Sequence, residues 1–149
     1  MTEVGFYHLT RSPLDEALPR LLEKAYAAGS RVVVRVGEAE RLELLNRALW
    51  TYGKDSFLPH GTRADGFAED QPIYLTTQVE NPNGARILVL VLDAEAPDLA
   101  GYERCLDLFD GGDPEAVARA RGRWRAAAAA GHACVYWQQS ERGGWQKAG

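Results

Sequence analysis

The spacing of apolar and polar positions changes repeatedly along the chain, and each change marks an element. EVGFYHL (3–9) reads as a first strand. In the following SPLDEALPRLLEKAYAAG, Leu14, Leu18, Leu21, Leu22 and Ala25 recur at the spacing of a helix with one buried face. Ser12 stands at its N-cap, Pro13 at its first helical position and Gly29 at its stop. RVVVRV (31–36) is a β-branched run of the kind found in strands covered on both faces. GEAERLELLNRALWTY (37–52) predicts a second amphipathic helix with Leu42, Leu45 and Leu49 on one stripe. QPIYLTTQ (71–78) and ARILVLVLD (85–93) read as strands, the second apolar enough to lie centrally in a sheet. ERCLDLFD (103–110) fits a short helix or a strand equally well. GGDPEAVARARGRWRAAAAAG (111–131) predicts a helix capped by Asp113, with Pro114 in its first turn and Gly131 at its end. ACVYWQQ (133–139) closes the series as a strand.

Strands that alternate with helices, some of them continuously apolar, predict a single three-layer α/β domain over residues 1–140. Its sheet is expected to be largely parallel and flanked by helices, with RVVVRV and ILVLVLD next to each other at the core. ERGGWQKAG (141–149) is expected as a flexible C-terminal tail. GKDSFLPHGTRADGFAEDQP (53–72) is the one long irregular stretch. A loop of that length in a compact domain is usually functional or mobile.

At 149 residues, 46% hydrophobic and 26% charged, the composition is that of an ordinary globular domain. Apolar runs are too short for a membrane span, and MTEVGFYHLT lacks the basic-then-apolar order of a signal peptide. Cys105 and Cys134 are far apart and form no CxxC, which favours a reducing, cytoplasmic setting. His8, His60 and His132 are scattered without metal-ligand spacing, so no metal is expected. The net charge of −4 argues against direct binding of DNA or RNA, whose affinity comes mostly from Lys and Arg on phosphate.

Folds of this class often bind nucleotides through glycine-rich loops of the GxxxxGK[ST] or GxGxxG type. The sequence holds neither. TRSPLD after the first strand has no glycine, and GGDPEAV would set Asp113 and Glu115 against a phosphate. An unusual nucleotide enzyme is therefore the weaker alternative, as is a direct nucleic-acid binder. Ser56 and His60, with Asp55 adjacent, do not form the G-x-S-x-G elbow of a hydrolase. Asp93, Glu95 and Asp107 have no pairing that spacing supports. No catalytic residue and no cofactor is expected.

Two segments remain unusual. ARARGRWR (118–125) concentrates four arginines in an acidic chain. On a helix Val117, Arg121, Trp124 and Arg125 share a face, while Arg119 and Arg123 point elsewhere. The arginines are either a solvated surface with Trp124 in the core, or a slot in which Arg121 and Arg125 grip carboxylates over an apolar floor of Trp124 and Val117. The guanidinium fork suits the second reading, because it meets a carboxylate through two parallel hydrogen bonds. Gly122 beside the patch would let a ligand backbone approach. ALWTYGKDSFLPHG (48–61) crowds Trp50, Phe57, Leu58 and Pro59 at a helix end, as a loop-capping minicore or as an exposed interaction site.

FYHL near the start, ALW followed by SFLPHG, QPIYLT, NPNGA, the AR-x-R-W segment, AAG and YWQQ occur in this order along nearly the whole chain. Together they resemble the chi subunit family of bacterial DNA polymerase III. The resemblance implies an α/β fold without intrinsic catalytic activity, acting as a clamp-loader accessory in the bacterial cytoplasm. It implies two partners: the acidic, hydrophobic C-terminal tail of single-stranded DNA-binding protein, and the small loader subunit psi or a substitute such as a helicase. The family's tail-binding arginine falls on Arg121, its neighbouring aromatic on Trp124 and its next basic position on Arg125. The psi-contacting aromatics fall on Trp50 and Phe57. The sequence departs from the pattern at Val117, where better-studied members carry another basic residue, and in its extra GGWQKAG terminus.

Overall fold

The aliphatic runs lie side by side at the centre of one mostly parallel sheet. A computed structural model describes residues 2–10, 13–51, 59–139 and 144–147. In chain order its elements are β1 (Glu3–Leu9), α1 (Leu14–Ala27), β2 (Val32–Val36), α2 (Ala39–Thr51), β3 (His60–Thr62), β4 (Ile73–Thr76), β5 (Ile87–Val91), β6 (Arg104–Asp110), α3 (Pro114–Ala129), β7 (Ala133–Gln139) and β8 (Trp145–Lys147). The strand order is β3-β4-β2-β5-β6-β1-β7-β8. Every pairing is parallel except that of β8 on β7.

RVVVRV and ILVLVLD pair directly, with Val32 opposite Ile87 and Val34 opposite Val89. Successive side chains on a strand point to opposite faces. Val32, Val34, Val36, Ile87, Val89 and Val91 therefore share a core with Leu18 and Leu22 of α1 and Leu45 and Leu49 of α2. Val33, Leu88 and Leu90 face the other way and pack with Val4, Phe6, Cys105 and Phe109 beneath α3. The three expected layers are thus α1 and α2, the sheet, and α3. Each fully buried aliphatic or aromatic side chain contributes about 1.5–3 kcal/mol, so an unbroken run on a central strand stabilises both interfaces at once.

Three segments resolve what pattern alone left open or placed differently. ERCLDLFD is the strand β6, because Cys105 through Phe109 are buried on both faces between β5 and β1. The described part of the 53–72 stretch, 59–72, supplies edge strand β3 and two tight turns, Arg63–Asp65 and Ala68–Asp70. Asp65 accepts a hydrogen bond from the Thr62 N–H at 2.8 Å and fixes the first turn. Within the segment expected as a loose tail, Trp145–Lys147 form β8 on the edge of β7. At the start of α1 the cap falls one residue later than expected: Pro13, read as the first helical residue, has extended backbone and is itself the N-cap, Leu14 opens the helix, and Ser12 lies outside the described residues.

α3 buries only alanines completely: Ala116, Ala120 and Ala127. Small contact residues let the helix axis sit low on the sheet, so the long side chains of ARARGRWR emerge along its flanks. The loop after β5 is held to the same face by Arg35, which is 2% exposed. Arg35 donates to both carboxylate oxygens of Asp98 at 2.7 and 2.8 Å and to the carbonyls of Gln78 and Glu95 at 3.1 Å. Leu92 and Asp93 at the start of that loop adopt left-handed backbone, φ 53° and 62°. The turn aims the Asp93 carboxylate at α3.

Candidate functional site

The helix carrying the arginines starts as its sequence dictates. The Asp113 carboxylate accepts a hydrogen bond from the Glu115 N–H at 3.0 Å, and Pro114 follows the cap. The four arginines then separate into two pairs. Arg123 donates through Nε to Asp107 Oδ2 at 2.6 Å, through Nη2 to Asp107 Oδ1 at 3.0 Å and through Nη1 to Asp93 at 2.9 Å. Arg119 donates to the other oxygen of Asp93 at 2.9 Å and lies 3.8 Å from Glu115. These two arginines fasten α3 to β6 and to the turn after β5. Burial pushes the Asp107 carboxyl above its ordinary range, and the hydrogen bonds and charge of Arg123 oppose that rise.

Arg121 and Arg125 lie on a different flank, and among the described residues neither takes part in an ion pair. They border a groove of about 450 Å³ with Val117, Trp124 and Ala120 of α3, Phe6 of β1, Phe109 of β6 and Tyr136 of β7. The structure therefore brings together all four residues placed on one helix face by spacing. Trp124 is half-buried, its ring centroid 5.1 Å from Phe6 and 6.5 Å from Tyr136. Phe109 lies 6.3 Å from Tyr136. The Tyr136 hydroxyl shares a hydrogen bond with His8 Nδ1, which fixes the ring. Burial raises the Tyr136 pKa, and the nearby positive charge of Arg121 opposes the rise. The result is an aromatic trough with two guanidinium groups at its lip, free to form two-pronged hydrogen bonds with carboxylates.

Phe6, Phe109 and Tyr136 were not foreseen as floor residues. They come from three strands distant in sequence, and their common side follows only once the register sets Phe6 opposite Tyr136 and His8 opposite Phe109. Strand alternation in FYHL, LDLFD and VYWQQ carried the signal that each faces one layer, but not which strands adjoin.

The second candidate corner lies at the C-terminal end of α2. Trp50 is 50% exposed, and its ring centroid is 4.4 Å from that of His60 at the start of β3. Pro59 beside it is half-buried. Phe57 and Leu58 lie outside the described residues, as do Asp55 and Ser56. His60 itself is buried and faces the Asn46 carbonyl at 3.4 Å.

At the C-terminal ends of the strands, where open α/β sheets usually bind phosphates, the crevice is lined by Asp93, Asp110, Asp113 and Glu38 together with Arg41 and Arg119. Carboxylates outnumber cations there, and Arg119 is already engaged by Asp93. Among the described residues no cluster of three or more His, Cys, Asp or Glu could hold a metal ion. No described helix is long and apolar enough to cross a membrane.

The family model described as "DNA polymerase III chi subunit, HolC" matches residues 1–135. The chain is 31% identical over 109 residues to a protein of Rickettsia prowazekii called "Probable DNA polymerase III subunit chi", covering 73% of this chain and 66% of that one. It is 34% identical over 101 residues to the "DNA polymerase III subunit chi" of Pseudomonas aeruginosa, covering 65% of this chain and 68% of that one. The chain belongs to the chi subunit family. It is thereby placed among replication-associated subunits of DNA polymerase III, and it spans about two thirds of the length of these relatives. Val117, Arg121, Trp124, Arg125, Trp50 and Pro59 fall inside the span of the family match. Tyr136, Trp137 and Trp145 fall beyond it, so part of the groove floor and all of β8 are features of this chi-family chain outside the matched span.

Proposed function

We propose that this chi-family chain is a non-catalytic adaptor of the bacterial cytoplasm that links single-stranded DNA-binding protein to the clamp loader. Its groove between α3 and β7 takes the acidic C-terminal tail of that protein. Arg121 is the main anchor for the tail carboxylates, Arg125 assists, and Trp124 with Val117 floors the pocket for the terminal aromatic ring. One observation carries this reading: of the four arginines of ARARGRWR, the two left without carboxylate partners are the two at the lip of an aromatic groove. The arginines serve a protein that binds DNA, and the chain does not bind DNA itself.

Trp50, Phe57, Leu58 and Pro59 form the surface for the loader side, taken by psi or by a substitute such as a helicase. Trp50 is exposed on α2 beside edge strand β3, whereas the groove lies over β6, β1 and β7 under α3. Four strand steps of about 4.8 Å put β3 about 19 Å from β6, and the two sites are on opposite layers. Both partners can therefore bind at once, as an adaptor requires.

The test is titration of a labelled acidic peptide ending in phenylalanine against alanine variants of Arg119, Arg121, Arg123 and Arg125. A hydrogen bond to a charged group is worth about 1.5–3 kcal/mol, so Arg121→Ala is expected to weaken binding roughly ten- to a hundredfold. Arg121→Lys recovers part of the loss, because the ammonium keeps the charge without the fork. Equal losses at all four positions, or none at Arg121, would place the peptide elsewhere.

A further inference from the structure

Strands β1 and β7 present one aromatic pair to each face of the sheet. Phe6 and Tyr136 are register partners on the α3 side, and the next residues, Tyr7 and Trp137, are register partners on the α1 side. Tyr7 and Trp137 stack at 6.1 Å with 14° between their planes, and Trp145 of β8 meets Tyr7 edge-on at 5.0 Å. Gly5 makes room for this arrangement: a Cβ there would lie 2.7 Å from the Tyr7 ring. The three rings border a cavity of about 860 Å³ between α1 and the edge of the sheet.

Its lip is cationic in the same manner as that of the first groove. Arg20 and Lys24 stand four apart on α1, as Arg121 and Arg125 stand four apart on α3, so each helix sets two cations on one face. Arg104 at the start of β6 adds a third, lining the same cavity as Tyr7. Among the described residues none of Arg20, Lys24 and Arg104 takes part in an ion pair with a carboxylate, and Glu23 is the one carboxylate lining the cavity. Aromatic walls below three available cations complement an anionic chain that carries an aromatic or apolar side chain.

We infer that this cavity is a second site for an acidic peptide with an aromatic residue, on the face of the sheet opposite the first and built around Tyr7, Trp137 and Trp145 under Arg20, Lys24 and Arg104. The choice of peptide rests on the proposed function, since the ligand chemistry of the two grooves is the same. A single-stranded nucleic acid shares the anionic and aromatic character, but the chain's net charge of −4 favours the peptide. Two sites per chain would let one molecule hold two tails of a multivalent partner, raising avidity without a new kind of contact.

Calorimetric titration of the whole chain with a synthetic acidic peptide ending in phenylalanine decides the matter. The wild-type chain is expected to bind two equivalents. Arg20→Glu with Lys24→Glu, both on exposed positions of α1, should leave one, with the second site weakened at least about tenfold. Arg121→Ala should weaken the other roughly ten- to a hundredfold. Trp145→Ala should weaken the second site alone, and circular dichroism of all three variants checks that the fold is kept. One equivalent that vanishes with Arg121→Ala overturns the second site and leaves the first intact. One equivalent that vanishes with the α1 variant and ignores Arg121→Ala overturns the first and keeps the second. An oligo-dT strand that binds in an Arg20- and Lys24-dependent way, where the peptide does not, overturns the choice of ligand.

Discussion

Arg123 and Asp107 are joined beneath α3 by a two-pronged ion pair, 2.6 Å from Nε to Oδ2 and 3.0 Å from Nη2 to Oδ1. Asp107 is 1% exposed, and Arg123 also reaches Asp93 at 2.9 Å. The contact divides one arginine-rich helix into residues that hold it down and residues left to bind something else. Arg123 and Arg119 carry out the first task; Arg121 and Arg125 are available for the second.

Stability and binding should therefore separate along the helix. Arg123→Ala leaves the Asp107 carboxylate buried without its main partner, which costs about 3–5 kcal/mol. Arg121→Ala removes an exposed side chain outside any ion pair of the described residues and is expected to change stability by no more than about 0.5 kcal/mol. Urea unfolding of the two variants measures the contrast, and a comparable loss in both would mean that Arg121 is structural.

A buried arginine elsewhere, Arg35, makes the fold sensitive to acid. Hydrogen bonds from Arg35 hold the Asp98 carboxyl below its usual range, with the nearby charge of Arg35 adding to the effect against burial. The folded chain then binds fewer protons at Asp98 than the unfolded chain does. This contribution is fully present above the unfolded value of about 3.9 and is lost as pH falls through the lower folded value. Asp98→Asn is expected to cost about 2–3 kcal/mol at neutral pH. Its urea midpoint should fall less steeply than that of the wild type between about pH 5 and pH 3. Parallel pH profiles would remove Asp98 from the acid response.

How much of this was legible in the sequence depended on whether the signal was local. Asp113 and Pro114 gave the start of α3 because capping is decided within a few residues. Val117, Arg121, Trp124 and Arg125 could be placed on one face because helical spacing is local as well. The floor under them was not legible, since Phe6, Phe109 and Tyr136 meet only through a strand order in which β1 lies between β6 and β7. Asp107 and Asp93 offered no pairing by spacing, because their partner Arg123 is on a helix that packs across them. Trp145 looked like part of a loose tail, for a three-residue strand has too little pattern to announce itself; its contact with Tyr7 becomes visible only in three dimensions.

Trp50 distinguishes an interaction surface from a minicore. Its ring is half exposed and rests against His60, so Trp50→Ala removes little buried area. Stability is expected to fall by about 1 kcal/mol or less, while association with the loader-side partner is lost and peptide binding at α3 is unchanged. Pull-down with the partner, alongside peptide titration of the same variant, checks this. Unfolding of Trp50→Ala, or retention of the partner, would assign the corner to the core.

The apolar and ionic parts of the α3 groove should separate with salt. Arg121 and Arg125 are exposed, and charges of that kind are screened beyond about 8–10 Å at ionic strengths of 0.1–0.15 M. Peptide affinity of the wild type is therefore expected to fall as salt rises from low to moderate concentration. In Arg121→Ala the affinity is lower at every salt concentration and the dependence is shallower, because one of the two cations is missing. Trp124→Ala instead removes a half-buried ring packed 5.1 Å from Phe6 and opens the floor of the trough. Its affinity should also fall, by roughly tenfold or more if the ring contributes about 1.5 kcal/mol or more, with the wild-type salt slope retained. Measuring both slopes by fluorescence anisotropy tests the division of labour directly. If Trp124→Ala flattens the salt response as much as Arg121→Ala does, the ring serves mainly to position the guanidinium, and the trough does not hold the terminal aromatic of the tail.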